Sequence, residues 1–125
     1  MIKDQNLSGQ QFLVFRQGGR HLALPIWGIA EIIRLVTLNP LPEQPAYVAG
    51  MINYRGEILP VLDLWFLLDK EAPPLRAEMG IIVAEIGGRR FGLIVEEMVG
   101  VKPLAPSPRP DDLVEELAMP LVEEV

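Results

Sequence analysis

Cysteine is absent from this chain of 125 residues, and histidine occurs once. Disulfides, thiolate chemistry and the usual zinc clusters are thereby excluded, an absence compatible with a reducing compartment. Aromatic residues are few: four Phe, two Trp and two Tyr. Several, such as Phe12 and Phe15, occupy apparent core positions, which leaves little for the stacking platforms that small barrels use on nucleic acid or oligosaccharide. No apolar run reaches the roughly 18 residues needed to span a bilayer. Residues 1–6 lack the apolar segment of a signal peptide, so the expectation is a cytoplasmic protein with no direct membrane insertion.

A dense basic run is missing too. The 11 Lys and Arg stand against 17 Asp and Glu, a net charge of −6. All of that excess lies in Asp111, Asp112, Glu115, Glu116, Glu123 and Glu124, so the body is neutral and the end acidic. Nucleic acid is therefore not expected as a partner, since its binding rests on a basic surface. Arg89-Arg90, the only adjacent basic pair, reads as a solvated hairpin edge after Gly87-Gly88. Catalysis fares no better. His21 sits in a strand-like segment with no nucleophile in view, and the neighbouring pairs Glu96-Glu97, Asp111-Asp112, Glu115-Glu116 and Glu123-Glu124 read as solvated charge. The glycine pairs lack the spacing and following Lys-Ser or Lys-Thr of a phosphate loop. The chain reads as a non-enzyme, without cofactor or metal.

What is present is a pattern of short strands in a chain half of which is apolar. Apolar runs at residues 12–15 and 22–26 flank the turn Gln17-Gly18-Gly19-Arg20, and runs at 81–86 and 91–95 flank Gly87-Gly88, two hairpin signals of similar construction. Shifted by 69 positions, Gly18-Gly19-Arg20-His21-Leu22-Ala23-Leu24 lies over Gly87-Gly88-Arg89-Arg90-Phe91-Gly92-Leu93, with both glycines, the first arginine and the last leucine identical. Two related all-β units are implied. Pro73-Pro74 and nearby charges mark a linker between them. Residues 27–34 fit either a short helix or a continuing extended segment. Asp63 is a candidate N-cap for a helical turn at Trp65-Phe66-Leu67-Leu68.

The most informative stretch is residues 47–64, where the charged turn Asn53-Tyr54-Arg55-Gly56 separates two apolar runs. Gly56 admits positive φ, Asn53 can bond its own backbone, and Arg55 carries a permanent planar charge with five donors. Taken alone it is an ordinary surface turn with a solvated arginine. With its surroundings it is more specific. Phe12-Leu13-Val14-Phe15, Leu24-Pro25-Ile26 with Glu31-Ile32, Leu41-Pro42, Gly50 through Gly56, and Pro60-Val61-Leu62-Asp63-Leu64 follow one another in the order seen in the CheW family of chemotaxis coupling proteins. Ile81-Ile82-Val83, Gly92-Leu93-Ile94-Val95 and Val99-Gly100-Val101 have counterparts there as well. The chain resembles that family over about residues 10–102.

The resemblance implies an all-β fold of two small SH3-like barrel lobes with short helical turns. Placed on this sequence, it gives a tail at residues 1–11, a first lobe at 12–69, a linker at 70–80, a second, incomplete lobe at 81–110 and an acidic segment at 111–125. It implies an adaptor that joins the cytoplasmic tip of methyl-accepting chemoreceptors to the regulatory domain of the histidine kinase CheA. A coupling protein of another array, such as one controlling twitching motility, is the alternative; a small-barrel module for nucleic acid or oligosaccharide is a more distant one. The family's receptor-facing positions fall on Ile29, Glu31, Gly50 and Arg55, with Asn53 and Gly56 shaping the turn. Tyr54 stands where the family commonly has leucine, and Leu22-Ala23 where it often has an aromatic-Gly pair. Counted from the repeat, the second unit's closing strand would fall past Val125. An open sheet edge, self-association or strand exchange, and faster amide exchange over 81–101 than over 12–64 are the corresponding expectations.

Overall fold

The computed structural model describes residues 11–103 except 41 and 69, and the backbone of 113–114, 119–120 and 122–123. Eight strands carry the fold: β1 (Gln11–Gln17), β2 (Arg20–Pro25), β3 (Ile29–Arg34), β4 (Val48–Tyr54), β5 (Glu57–Leu62), β6 (Gly80–Ile86), β7 (Arg89–Val95) and β8 (Glu97–Pro103). One short helix, α1 (Leu64–Leu67), follows β5, and three two-residue strands come last: β9 (Leu113–Val114), β10 (Met119–Pro120) and β11 (Val122–Glu123). The all-β expectation holds.

Both glycine-pair hairpins form as read. Gly18 and Gly19 have φ of 59° and 80°, and Gly87 and Gly88 have 58° and 79°. Two consecutive left-handed residues are what a two-residue hairpin loop needs to match strand twist, and glycine supplies them without a Cβ clash. Asp63 caps α1, its Oδ1 accepting from the Phe66 amide at 3.0 Å. The open question over residues 27–34 resolves into a 3-10 turn, Ile26–Gly28, running into β3.

The strands are not shared out in sequence order. One sheet runs β3-β6-β7-β5-β4 and another β11-β2-β1-β8. The second hairpin, β6–β7, thus joins β3, β4 and β5, while β8 returns to β1. Burial gives the reason. Residues 81–84 and 91–95 are buried without a break, so these strands need cover on both faces. On one face Ile81, Val83 and Ile94 meet Ile52, Leu59, Val61 and Trp65 inside the five-stranded unit. On the other, Ile82, Ala84, Phe91 and Leu93 meet Leu13, Phe15, Leu22 and Leu24 of the second sheet. Of the strands expected to exchange fastest, β6 and β7 lie inside the five-stranded sheet and β8 at an edge of the other.

Two further contacts fix the arrangement. After β3 the chain turns so that Asn39 pairs with Met51 of β4, each amide donating to the other's carbonyl at 2.9 Å, which ties the β3 end of the sheet to the β4 end and closes a barrel. Gln17, 1% exposed, donates to the Ile94 carbonyl at 3.1 Å and accepts from the Glu96 amide at 2.8 Å. It clamps the β1–β2 sheet to the β7–β8 corner with both halves of its amide satisfied. On one side of the smaller sheet β11 pairs with β2 through Val122↔Ala23 and Glu123↔Leu22; on the other side β8, from the unit expected to be open, is the edge strand among the described residues. The side chains of the acidic segment lie outside the described residues.

Candidate functional site

The charged turn of residues 53–56 closes the β4–β5 hairpin, where Tyr54 pairs with Glu57. Its two loop residues are Arg55, at φ 52°, and Gly56, at φ 85°. The first loop position, a glycine in the other two hairpins, is here an arginine in the left-handed region. Such a conformation costs an L-residue about 1–2 kcal/mol, and observed strain of this kind points to function. Asn53 supports the loop, its Oδ1 accepting from the Gly56 amide at 2.9 Å.

Three side chains converge there. Glu31 Oε1 accepts from the Tyr54 hydroxyl at 2.6 Å and from Arg55 Nη2 at 2.7 Å. The Arg55 guanidinium lies over the Tyr54 ring, 5.3 Å from its centre, within cation–π range. The hydrogen bond to the Glu31 carboxylate raises the Tyr54 phenol above its ordinary pKa, with burial adding in the same direction. The Arg55 side chain stays 72% exposed and that of Glu31 35%. The cluster is therefore anchored below by the Tyr54 ring, which packs in the barrel core, and open above. Ile58, opposite Asn53 in the register, is 58% exposed.

Glu31, Asn53, Arg55 and Gly56 come together; Ile29 and Gly50 lie outside that hydrogen-bonded cluster. Ile29 packs against the core between the sheets, whereas Glu31, opposite Val83 in the register, reaches the barrel rim. Gly50 is buried, and a Cβ there would stand 2.8 Å from Leu38 Cβ. Its bareness lets the segment through Leu38 and Asn39 lie against β4, so it acts beneath the site. Tyr54, marked in the sequence only as a departure from the family's usual leucine, joins the cluster through its hydroxyl. The signal was a hydroxyl-bearing ring beside the turn arginine, at the end of an apolar strand.

Other polar groups are accounted for differently. Arg90, read as solvated, bridges Glu57 at 3.0 Å and Glu85 at 3.3 Å, pinning the β6–β7 hairpin to β5, and these carboxylates raise its pKa further. His21 is exposed on β2. Among the described residues no cluster of three His, Asp or Glu side chains is arranged to hold a metal ion, and no helix is long and apolar enough to cross a membrane.

The model of the CheW-like domain matches residues 11–116. The chain belongs to the CheW-like domain family. It is 32% identical to protein FrzA of Myxococcus xanthus over 93 residues, 74% of this chain and 58% of that one. It is 35% identical to the chemotaxis protein CheW of Rhizobium meliloti over 88 residues, 70% of this chain and 57% of that one. Each match spans a little over half of the relative's length. Among solved structures, the scaffolding protein TtCheW of Thermoanaerobacter tengcongensis superposes with a TM-score of 0.75 at 31% identity, covering 81% of this chain and 71% of that one. The CheW-like fold, with its SH3-like lobes, is thus supported by sequence and by shape.

Proposed function

We propose that this chain is a non-enzymatic cytoplasmic scaffold that couples chemoreceptor tips to the regulatory domain of the histidine kinase CheA. The observation that carries the reading is Arg55: exposed, in a left-handed conformation and held by Glu31 and Tyr54. A folding-neutral turn would carry glycine there, as the other two hairpins do. The receptor tip, a helical hairpin, would present polar groups to Arg55 and Glu31 and apolar ones to the nearby surface, the pattern of a helix docked by anchor side chains. Asn53 and Gly56 set the loop, Ile29 supports β3 from behind, and Gly50 keeps the barrel closed beneath it.

Coupling in this reading is mechanical, the barrel transmitting a movement of the receptor helices to the kinase. The likeness to FrzA, beside that to a chemotaxis CheW, favours a second reading in which the same joint serves another array, such as one controlling twitching motility. A reconstituted phosphorylation assay with CheA and receptor-tip fragments tests the proposal. The chain should restore receptor control of the kinase, and His21→Ala should do so equally well. Failure to bind either component would overturn the adaptor reading, and loss of control in folded His21→Ala would overturn its non-catalytic part.

A further inference from the structure

We infer that Tyr54 is a positioning residue of the partner site: its hydroxyl orients the Glu31 carboxylate and its ring carries the Arg55 guanidinium, so that the remaining Arg55 donors face a partner in one fixed direction. This deepens the adaptor reading and rests on it. An exposed Arg–Glu pair alone contributes little, since holding two long side chains in one geometry offsets most of the attraction. Here a third group changes the balance. The Tyr54 ring belongs to the same buried cluster as Ile52, Leu59, Val61 and Val83 in the barrel core, with the residue 9% exposed. Its hydroxyl is therefore a fixed donor, 2.6 Å from the same Glu31 oxygen that takes Arg55 Nη2 at 2.7 Å.

The carboxylate is thus oriented from the core, and it orients the guanidinium in turn. The cation–π contact at 5.3 Å restrains Arg55 from below. A charged side chain ordered before binding loses less rotamer freedom when a partner arrives, which raises affinity for partners whose acceptor matches its direction and for no others. Tyr54 so sets which partners fit without needing to touch them.

Tyr54→Phe keeps the ring and removes only the hydroxyl. In the full chain it should leave the thermal midpoint within a few degrees and weaken binding of a chemoreceptor-tip helical hairpin about tenfold. In a Glu31→Ala background the same change should have no further effect, because the acceptor it orients is gone. Unchanged affinity in Tyr54→Phe, or a loss that simply adds to that of Glu31→Ala, would overturn the inference. A readout without partner separates this from the adaptor reading: nitrogen-15 NMR of the Arg55 side chain. Its N–H signals should be slowly exchanging in the wild-type chain and averaged in Tyr54→Phe. Glu31→Ala, which leaves the core untouched, should average them as well. If the wild-type chain does not bind the hairpin, the receptor assignment falls, and the Arg55 signals decide the positioning role alone: signals unmoved by either substitution would contradict it.

Discussion

The loop Gly87-Gly88 and the loop Arg55-Gly56 close two hairpins with nearly the same backbone, φ of 58° and 79° against 52° and 85°. The first is built of the residues that geometry favours. The second puts an arginine where the chain strains to hold it, then surrounds that arginine with an acceptor, an aromatic ring and an asparagine that bonds the loop. The difference separates what the fold requires from what it only tolerates. A turn needs two left-handed residues; nothing in barrel closure needs a cation at the first of them.

The largest effect should come from reversing the charge. Arg55→Glu sets two carboxylates against each other and should weaken receptor-tip binding by about 2 kcal/mol, roughly thirtyfold, with circular dichroism showing the barrel intact. Equal affinity would remove Arg55 from the interface.

Gly50→Ala tests the scaffold under the loop. The added methyl would lie 2.8 Å from Leu38 Cβ, and overpacking of this kind should destabilise the chain by about 1–3 kcal/mol, read from denaturant midpoints. Protection of the Asn39 and Met51 amides should fall with it. A neutral result would mean that the closure is slack and Gly50 dispensable.

Gly87→Arg transplants the strained position without its support. Stability should drop by about 1 kcal/mol with no gain in binding. An unchanged midpoint would show that arginine sits in such a loop without cost, and the strain argument for Arg55 would fail.

The smallest expected effect is on pH dependence. Because the folded-state pKa of Tyr54 is raised by Glu31 and burial, folding holds the phenolic proton more tightly than the unfolded chain, whose tyrosine titrates near 10. The resulting stability is complete below about pH 10 and is lost as pH rises through the raised folded value. Glu31→Gln should move the tyrosinate absorbance change to lower pH. An unmoved titration would separate the hydroxyl from the carboxylate.

The sequence showed what is local. The glycine pairs announce their turns, Asp63 its helix, and the 53–56 loop its charge, since each rests on residues within a few positions of one another. Partnership between strands far apart in the sequence was not legible. Continuous apolar runs such as Ile81-Ile82-Val83 state that both faces are buried without stating against what, so the sorting of β6 and β7 into the barrel with β3, β4 and β5 emerges only from the sheet order. Half of the candidate site followed the same division. Asn53, Arg55 and Gly56 were visible as a turn, while the Glu31–Tyr54 bond joins residues 23 apart in sequence, through a register no local pattern encodes.

Arg55→Gly, with folding stability and receptor-tip binding measured on the same preparation, tests most directly whether this arginine is held for a partner and not for the fold. Glycine relieves the left-handed strain but gains freedom in the unfolded chain, so stability should stay within about 1 kcal/mol of the wild-type value while binding falls at least tenfold. Retained binding, or a loss of several kcal/mol of stability that accounts for weaker binding, would contradict the account.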